Sequence, residues 1–413
     1  MRFSSLVNRI GGEAVDAWRI HSTALAAAER GEDVIVLSVG DPDFATPEPI
    51  VQAAIAALQA GDTHYTTVVG REALRQAIAN QQSLRNGQAV SASQVIVTAG
   101  TQNALYCATQ CLCEAGDEVI VPEPMYLTYQ ATIGACGATL VPVPVDVTQN
   151  FQIDVAALAA AITPRTQAIY IATPCNPTGT VMDLATLQAI AQLAIGHDLW
   201  VVSDEVYADL TFEPAHTCIA ALPGMAERTV TVSSLSKSYA MAGWRLGWAI
   251  GPDPLMQHMG NLQLCSLYGL PGFVQQGAIE AFARHAEVTQ AMRQAYRERR
   301  DLAYALLGQV PGLQCHLPQA GMFMMIDIRQ TGLSTEAFCW GLYHQTGVSV
   351  LDAAAFGPAV SGFVRLGFVV NPERLADACQ RIASFVASVR TQGLALSVQD
   401  IQALHAGNAH ALA

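Results

Sequence analysis

The stretch SSLSKSYAMAGWRLGW, residues 233–248, holds Lys237, the only lysine among 21 Lys and Arg residues in a chain of 413. Arginine replaces lysine at nearly any solvated surface site. It fails where the amine must lose its proton and bond covalently. A guanidinium stays charged at working pH, whereas an ε-amine can be desolvated and made into a Schiff base. Biased base composition also thins out lysines, so Lys237 takes its meaning from its neighbours. Ser234 stands three residues before it, Arg245 eight after, and the apolar run TVTVS (229–233) leads into it.

Working outward from TVTVS, similar runs recur: QVIVT (94–98), EVIVP (118–122), ATLVPV (138–143), AIYIA (168–172), LWVVS (199–203) and RLGWAI (245–250). Helix-length segments such as TQNALYCATQCLCEAG separate many of them. Near-continuous apolar strands alternating with helices predict an α/β fold, a mostly parallel mixed sheet of seven strands covered by helices on both faces. After residue 285 a charged helical stretch leads to short strands around GMFMMIDI (321–328) and GFVRLGFVV (362–370), then a last helix. That texture predicts a smaller α+β domain. The expected division is an N-terminal segment 1–48 joining the small domain, a large domain 49–285, the small domain 286–390 and a tail 391–413.

Composition narrows the function. The formal charge of −13 disfavours nucleic acid and anionic membranes as partners, since both select basic surfaces. No apolar run reaches membrane-spanning length, and the opening residues lack a signal-peptide core. Ten dilute cysteines without a paired CxxC array read as reduced core thiols in a cytoplasmic protein. The ten histidines show no metal-binding spacing, so no metal site is expected. With no GxGxxG fingerprint, dinucleotide binding has no support.

In open α/β sheets ligands bind beyond the carboxyl ends of the strands, and that is where four polar motifs fall. TAGTQNAL (98–105) opens a helix whose free N–H groups suit a phosphate, although a Thr-capped helix reads the same way. TPCNPTGTV (173–181) makes a tight turn presenting Asn176. SDEVYADL (203–210) puts Asp204 at a strand end, where burial is costly unless a cation or donor meets it. The fourth is the stretch around Lys237. Imine-forming lysine, phosphate-binding serine and arginine, and an aspartate for a ring nitrogen together point to pyridoxal 5′-phosphate.

The set GTQNAL, NPTG, SDEVY and SLSKSYAMAGWRLG, with GDPDF (40–44) and FVRLGF (363–368), resembles the class I/II aminotransferases of the aspartate-aminotransferase fold, over nearly the whole chain. The resemblance implies fold type I and a ping-pong exchange between an amino acid and a 2-oxo acid. It implies Lys237 as the Schiff-base lysine and proton carrier. It also implies Asp204 against the pyridine nitrogen, and Asn176 and Tyr207 on the ring hydroxyl. Ser234, Arg245 and the Gly100-Thr101-Gln102 turn would hold the phosphate, and Tyr126 would stack on the ring. Tyr65 would reach a neighbour's phosphate across a homodimer interface, and Arg365, with Asn176 and Gly40, would grip the substrate α-carboxylate.

Substrate choice rests on the same footing. Dicarboxylate-specific members use a second arginine, and its expected neighbourhood, residues 261–278, contains no basic residue. Stretches including LSVGDPDF, PEPMYLTY and GMFMMIDIRQTGLS resemble members that move the amino group of L-arginine to pyruvate. Glu13, Asp16, Asp43 and Glu123 lie in segments suited to a carboxylate that meets a cationic side chain, and each also reads as a surface carboxylate or cap. Asp352-Ala353 replaces a common Pro-Gly pair in the entrance loop. The alternatives are an aromatic, branched or aspartate donor, a C–S lyase or oxidase on the same fold, and a ligand-sensing regulatory protein. The last needs a DNA-binding region, and about forty residues precede GDPDF.

Overall fold

The computed structural model describes residues 1–10 and 18–392. The chain first lays down β1 (Ile35–Val36). The large sheet follows from β2 (Val95–Thr98), β3 (Glu118–Glu123), β4 (Thr139–Pro144), β5 (Thr166–Ala172), β6 (Trp200–Asp204), β7 (Thr229–Ser234) and β8 (Gly247–Ile250). Their order is β2-β8-β7-β6-β5-β3-β4. All neighbours run parallel except β8, which is antiparallel to both β2 and β7. This is the mixed seven-stranded sheet expected from the apolar runs.

Side-chain alternation explains why the runs are apolar throughout. Val119, Val121, Tyr170, Val202 and Val232 point to one face, where Ala104, Leu105 and Ala108 of helix Thr101–Leu112 cover them. Their neighbours Ile120, Ile169, Ile171 and Val201 point to the other, under Leu187, Ile190 and Ala194 of helix Leu184–Gly196. A strand buried on both faces favours apolar side chains along its length, and the polar residues it does carry are mostly small hydroxyl ones such as Thr229 and Thr231 of β7. The exception, β4, carries Pro142 and Pro144 and is partly exposed, because an edge strand tolerates missing N–H donors.

The smaller sheet contains β9 (Gln314–His316), β10 (Phe323–Asp327), β12 (Leu351–Asp352) and β13 (Phe363–Gly367), antiparallel in the order β12-β13-β10-β9. Helices His285–Leu307 and Pro372–Gln392 pack with it, and β1 pairs in parallel with β11 (Val348–Ser349). Among the described residues no helix is long and apolar enough to cross a membrane. Of the expected tail, residues 391 and 392 end the last helix, and the remainder lies outside the described residues.

Register places the site. Ala172 on β5 pairs with Asp204 on β6, and Asp204 with Val232 on β7. The carboxyl ends of three adjacent parallel strands therefore stop at one level, and the Asn176 turn, Asp204 and Lys237 leave from it.

Candidate active site

At the start of helix Thr101–Leu112 the N-cap is Gly100, at φ +79°, and no side chain caps it. The capping threonine that the sequence offered as an alternative is absent. Thr101 Oγ1 is buried and has no hydrogen-bond partner among the described residues. An uncapped helix start leaves N–H groups and the positive end of the dipole facing the cavity. The Arg245 guanidinium lies against it: a Cβ on Gly100 would sit 2.5 Å from Arg245 Nη2. Arg245 donates to the carbonyls of Ala242 at 2.8 Å and Ala99 at 3.4 Å and meets no carboxylate among the described residues. Buried Ser234 closes this anion-shaped corner. Gln102 has its amide committed elsewhere, to the hydroxyls of Thr132 at 2.8 Å and Thr128 at 2.6 Å.

Lys237 donates to the Gly40 carbonyl at 2.6 Å and has no acidic partner in ion-pair contact among the described residues. Burial pushes its ammonium down to about 8, helped by the Arg365 and Arg245 charges and opposed by Asp41. Asp204 Oδ2 accepts from the Tyr129 hydroxyl at 2.9 Å, and Oδ1 from the Val206 N–H at 3.2 Å. Burial raises its carboxyl to about 6, against the pull of those two donors. No cation among the described residues pairs with this carboxylate. A buried carboxylate so placed calls for a protonated partner from a ligand.

Arg365 makes the matching demand on the other wall. It is 2% exposed and lies over the Phe323 ring at 4.1 Å and the Phe356 ring at 4.9 Å. Its Nη1 donates to Asn176 Oδ1 at 2.8 Å and its Nη2 to the Ser38 carbonyl at 2.9 Å, while Nε has no partner. Burial pushes the guanidinium down to about 10. No carboxylate among the described residues pairs with it, so a buried cation awaits an anion.

One cavity of about 180 Å³ joins these groups. Gly40, Thr101, Gln102, Tyr126, Asn176, Asp204, Tyr207, Ser234, Lys237, Arg245 and Arg365 all line it. Gly100 stands at its edge through Arg245. Tyr65 is not brought in: it is 87% exposed and packs against Tyr268 at a ring distance of 4.9 Å. Of the carboxylates considered for a cationic substrate, Asp43 is paired with Arg299 at 2.6 Å. Glu123 accepts from the Ala359 N–H at 2.8 Å. Glu13 and Asp16 lie outside the described residues. Asp352 caps the short turn 353–356 through the Ala354 N–H, which fixes the entrance loop. Sequence reasoning missed Trp18, Tyr129, Ser236 and Phe323, all of which line the cavity. Only Tyr129 left a signal, as the second tyrosine of PEPMYLTY.

The comparisons with known proteins agree with this geometry. The model of the family described as aminotransferase class I and II matches residues 32–382. The chain belongs to the class I and II aminotransferases. It is 53% identical over 392 residues to an arginine–pyruvate transaminase of Pseudomonas aeruginosa, covering 95% of this chain and 100% of that one. An aspartate aminotransferase of Musicola paradisiaca is 36% identical over 359 residues, 86% of this chain and 90% of the relative. In structure, an aspartate aminotransferase from Thermus thermophilus with maleate superposes with a TM-score of 0.87 at 33% identity, covering 93% and 100% of the two chains.

Aminotransferases of this family depend on pyridoxal 5′-phosphate, and the residues present fit that group. The uncapped helix start with the unpartnered Thr101 hydroxyl suits its phosphate. The depressed Lys237 amine suits its aldehyde, and buried, uncompensated Asp204 suits its ring nitrogen.

Proposed function

We propose that this aminotransferase takes its amino group from L-arginine and delivers it to pyruvate. The observation carrying the substrate assignment is the charge inventory of the cavity: among the described residues, Asp204, Lys237, Arg245 and Arg365 are its only charged lining groups. Once each has its task, no cation remains among the described residues for a second carboxylate, which disfavours dicarboxylate donors. Trp18 instead offers an aromatic face, which attracts a guanidinium. The Pseudomonas aeruginosa relative of that name supports the same pair of substrates.

In this reading Lys237 would hold the cofactor's aldehyde, and Gly100, Thr101, Gln102, Ser234 and Arg245 its phosphate. Tyr126 would lie on its ring, Asn176 and Tyr207 would meet its hydroxyl, and Asp204 its ring nitrogen. When bound, pyridoxal 5′-phosphate supplies an electron-withdrawing ring that makes loss of the donor's α-proton feasible. Arg365 receives the α-carboxylate, with Asn176 and the Gly40 backbone fixing the plane of the donor. Lys237 Nζ then removes the α-proton, a task its lowered basicity favours near neutral pH. Phe323 and Phe356 exclude water from the Arg365 face. Tyr65 serves the phosphate of a second copy, so the working unit is a homodimer. Residues 49–285 form the cofactor-binding domain, and 286–390 with 1–48 the smaller one.

The test is a donor screen of the holoenzyme with pyruvate, in which arginine should give the highest kcat/KM, with alanine and a 2-oxo acid formed in equal amounts. Faster turnover of aspartate or an aromatic donor would overturn the substrate assignment. Release of ammonia in place of alanine would overturn transamination. Lys237→Ala should lose at least about 10³-fold in rate.

A further inference from the structure

Directly behind the site lies a second set of buried charges that the reaction described above does not use. Asp204 and Glu205 are consecutive, and alternation sends their side chains to opposite faces of the sheet end. Glu205 is 1% exposed. Its Oε1 accepts from the Ser203 hydroxyl at 3.1 Å, and its Oε2 lies 3.1 Å from His216 Nε2, whose side chain is itself almost wholly buried. That contact is not an aligned hydrogen bond, since His216 Nε2 finds no hydrogen-bond geometry to any acceptor among the described residues, and it is an ion pair only when the imidazole carries a proton on both nitrogens. Arg85 reaches the same pocket from helix Glu72–Asn86, but its guanidinium is paired with Asp209 and so is shared. Asp209 in turn faces His285 at 3.8 Å, and His285 meets the Tyr239 hydroxyl two residues beyond Lys237.

We propose that the Glu205–His216 pair is a positioning device that sets how firmly Asp204 keeps its negative charge against the cofactor's ring nitrogen. The inference rests on the role given to Asp204 above. Its physical basis is one of distance and cancellation. A second carboxylate one residue away disfavours ionised Asp204, and a positive partner on that carboxylate offsets the effect. Burial makes both influences long-ranged, because little water intervenes to screen them. Among the described residues, Lys237, Arg245 and Arg365 share the cavity with Asp204 and are left unchanged by the variants below. Glu205 faces His216, Arg85 and Cys218, and the Cys218 thiol is itself pushed up by burial. Asp204 faces Glu205 and Tyr129, with Tyr126, Tyr207 and Cys175 within electrostatic reach. Among these described neighbours Glu205 is the one carboxylic acid besides Asp204, and His216 is the titratable group in contact with it that no other carboxylate shares.

The experiment follows Asp204 itself. In cofactor-free protein labelled with [¹³C]aspartate, the carboxyl resonance of Asp204, assigned by its loss in Asp204→Asn, is titrated with pH. The same variants are loaded with pyridoxal 5′-phosphate, and the acid limb of their pH–rate profile is recorded. Glu205→Gln should lower the Asp204 midpoint and His216→Asn should raise it, each by about one pH unit. The double variant should fall between them, and the acid limbs should move in the same senses. Opposite shifts cannot come from a general loosening of the fold, which would move both variants alike. Either variant alone reads the coupling should the other fail to fold. Midpoints that stay put, or that move in the same direction, would overturn the proposal. Normal cofactor binding and turnover in Asp204→Asn would instead remove the role assigned to Asp204, whatever the midpoints show.

Discussion

At the scale of single residues, the site is a collection of charges that the protein itself leaves unanswered. Lys237 has no acidic partner in contact among the described residues, and burial brings its ammonium to about 8. Only the neutral amine attacks an aldehyde. The rate at which cofactor-free protein takes up pyridoxal 5′-phosphate should therefore climb with pH and level off above about 8. A rate still climbing at pH 10 would show an ordinary lysine. Asp204 carries the opposite burden. Its folded carboxyl, at about 6, lies above the unfolded value near 3.9, so the fold favours the neutral acid. The stability gained from that preference is complete at low pH and is lost as pH rises through about 6. Asp204→Asn should thus stabilise the cofactor-free protein at pH 7.5 by on the order of 2 kcal/mol, and by much less at pH 4. Calorimetry at the two pH values decides it, and a gain independent of pH would refute the charge argument. The same variant should lose most of its activity, a trade between function and stability common at active sites.

At the scale of elements, the phosphate corner depends on how closely β8 approaches the start of helix Thr101–Leu112. A Cβ on Gly247 would lie 2.6 Å from the Gly100 carbonyl carbon and 2.7 Å from both Thr101 N and Ser233 O. All three are backbone atoms and cannot rotate away. Gly247→Ala should cost about 1–3 kcal/mol and weaken cofactor retention as the helix start is displaced. Unchanged melting and unchanged fluorescence titration with the cofactor would show that the junction yields more easily than its geometry implies. On the facing wall β13 carries Arg365 between two aromatic rings, with Asn176 and Ser38 orienting its fork. Arg365→Lys keeps a cation but loses two-point contact. It should raise the KM for the donor about tenfold or more while leaving the cofactor spectrum intact.

At the scale of the molecule, the cavity draws on both sheets, since Asp204 and Lys237 come from the large one and Arg365 from the small one. Tyr65 stands apart, 87% exposed beside Tyr268. If it completes a second copy's phosphate corner, Tyr65→Phe should weaken cofactor binding by about ten- to a hundredfold, one lost hydrogen bond to a charged group. Retention should also fall on dilution. A monomer by sedimentation with full cofactor occupancy would rule that out.

Much of this was legible without coordinates because the strands are continuous apolar runs and the polar motifs sit at their ends. Lys237 could be singled out because arginine cannot do what its amine does, and Asp204 because a carboxylate at a buried strand end needs a reason. Those readings depend on local chemistry, which a sequence states directly. Tyr129 as the donor to Asp204, the engagement of Asp43 by Arg299 and the Glu205–His216 contact were not legible. Each is a meeting of residues far apart in the chain, or a choice among several eligible carboxylates. Only the packing of helices on the sheet decides which side chains share a pocket, because burial and distance, and not residue type, fix which charges are answered.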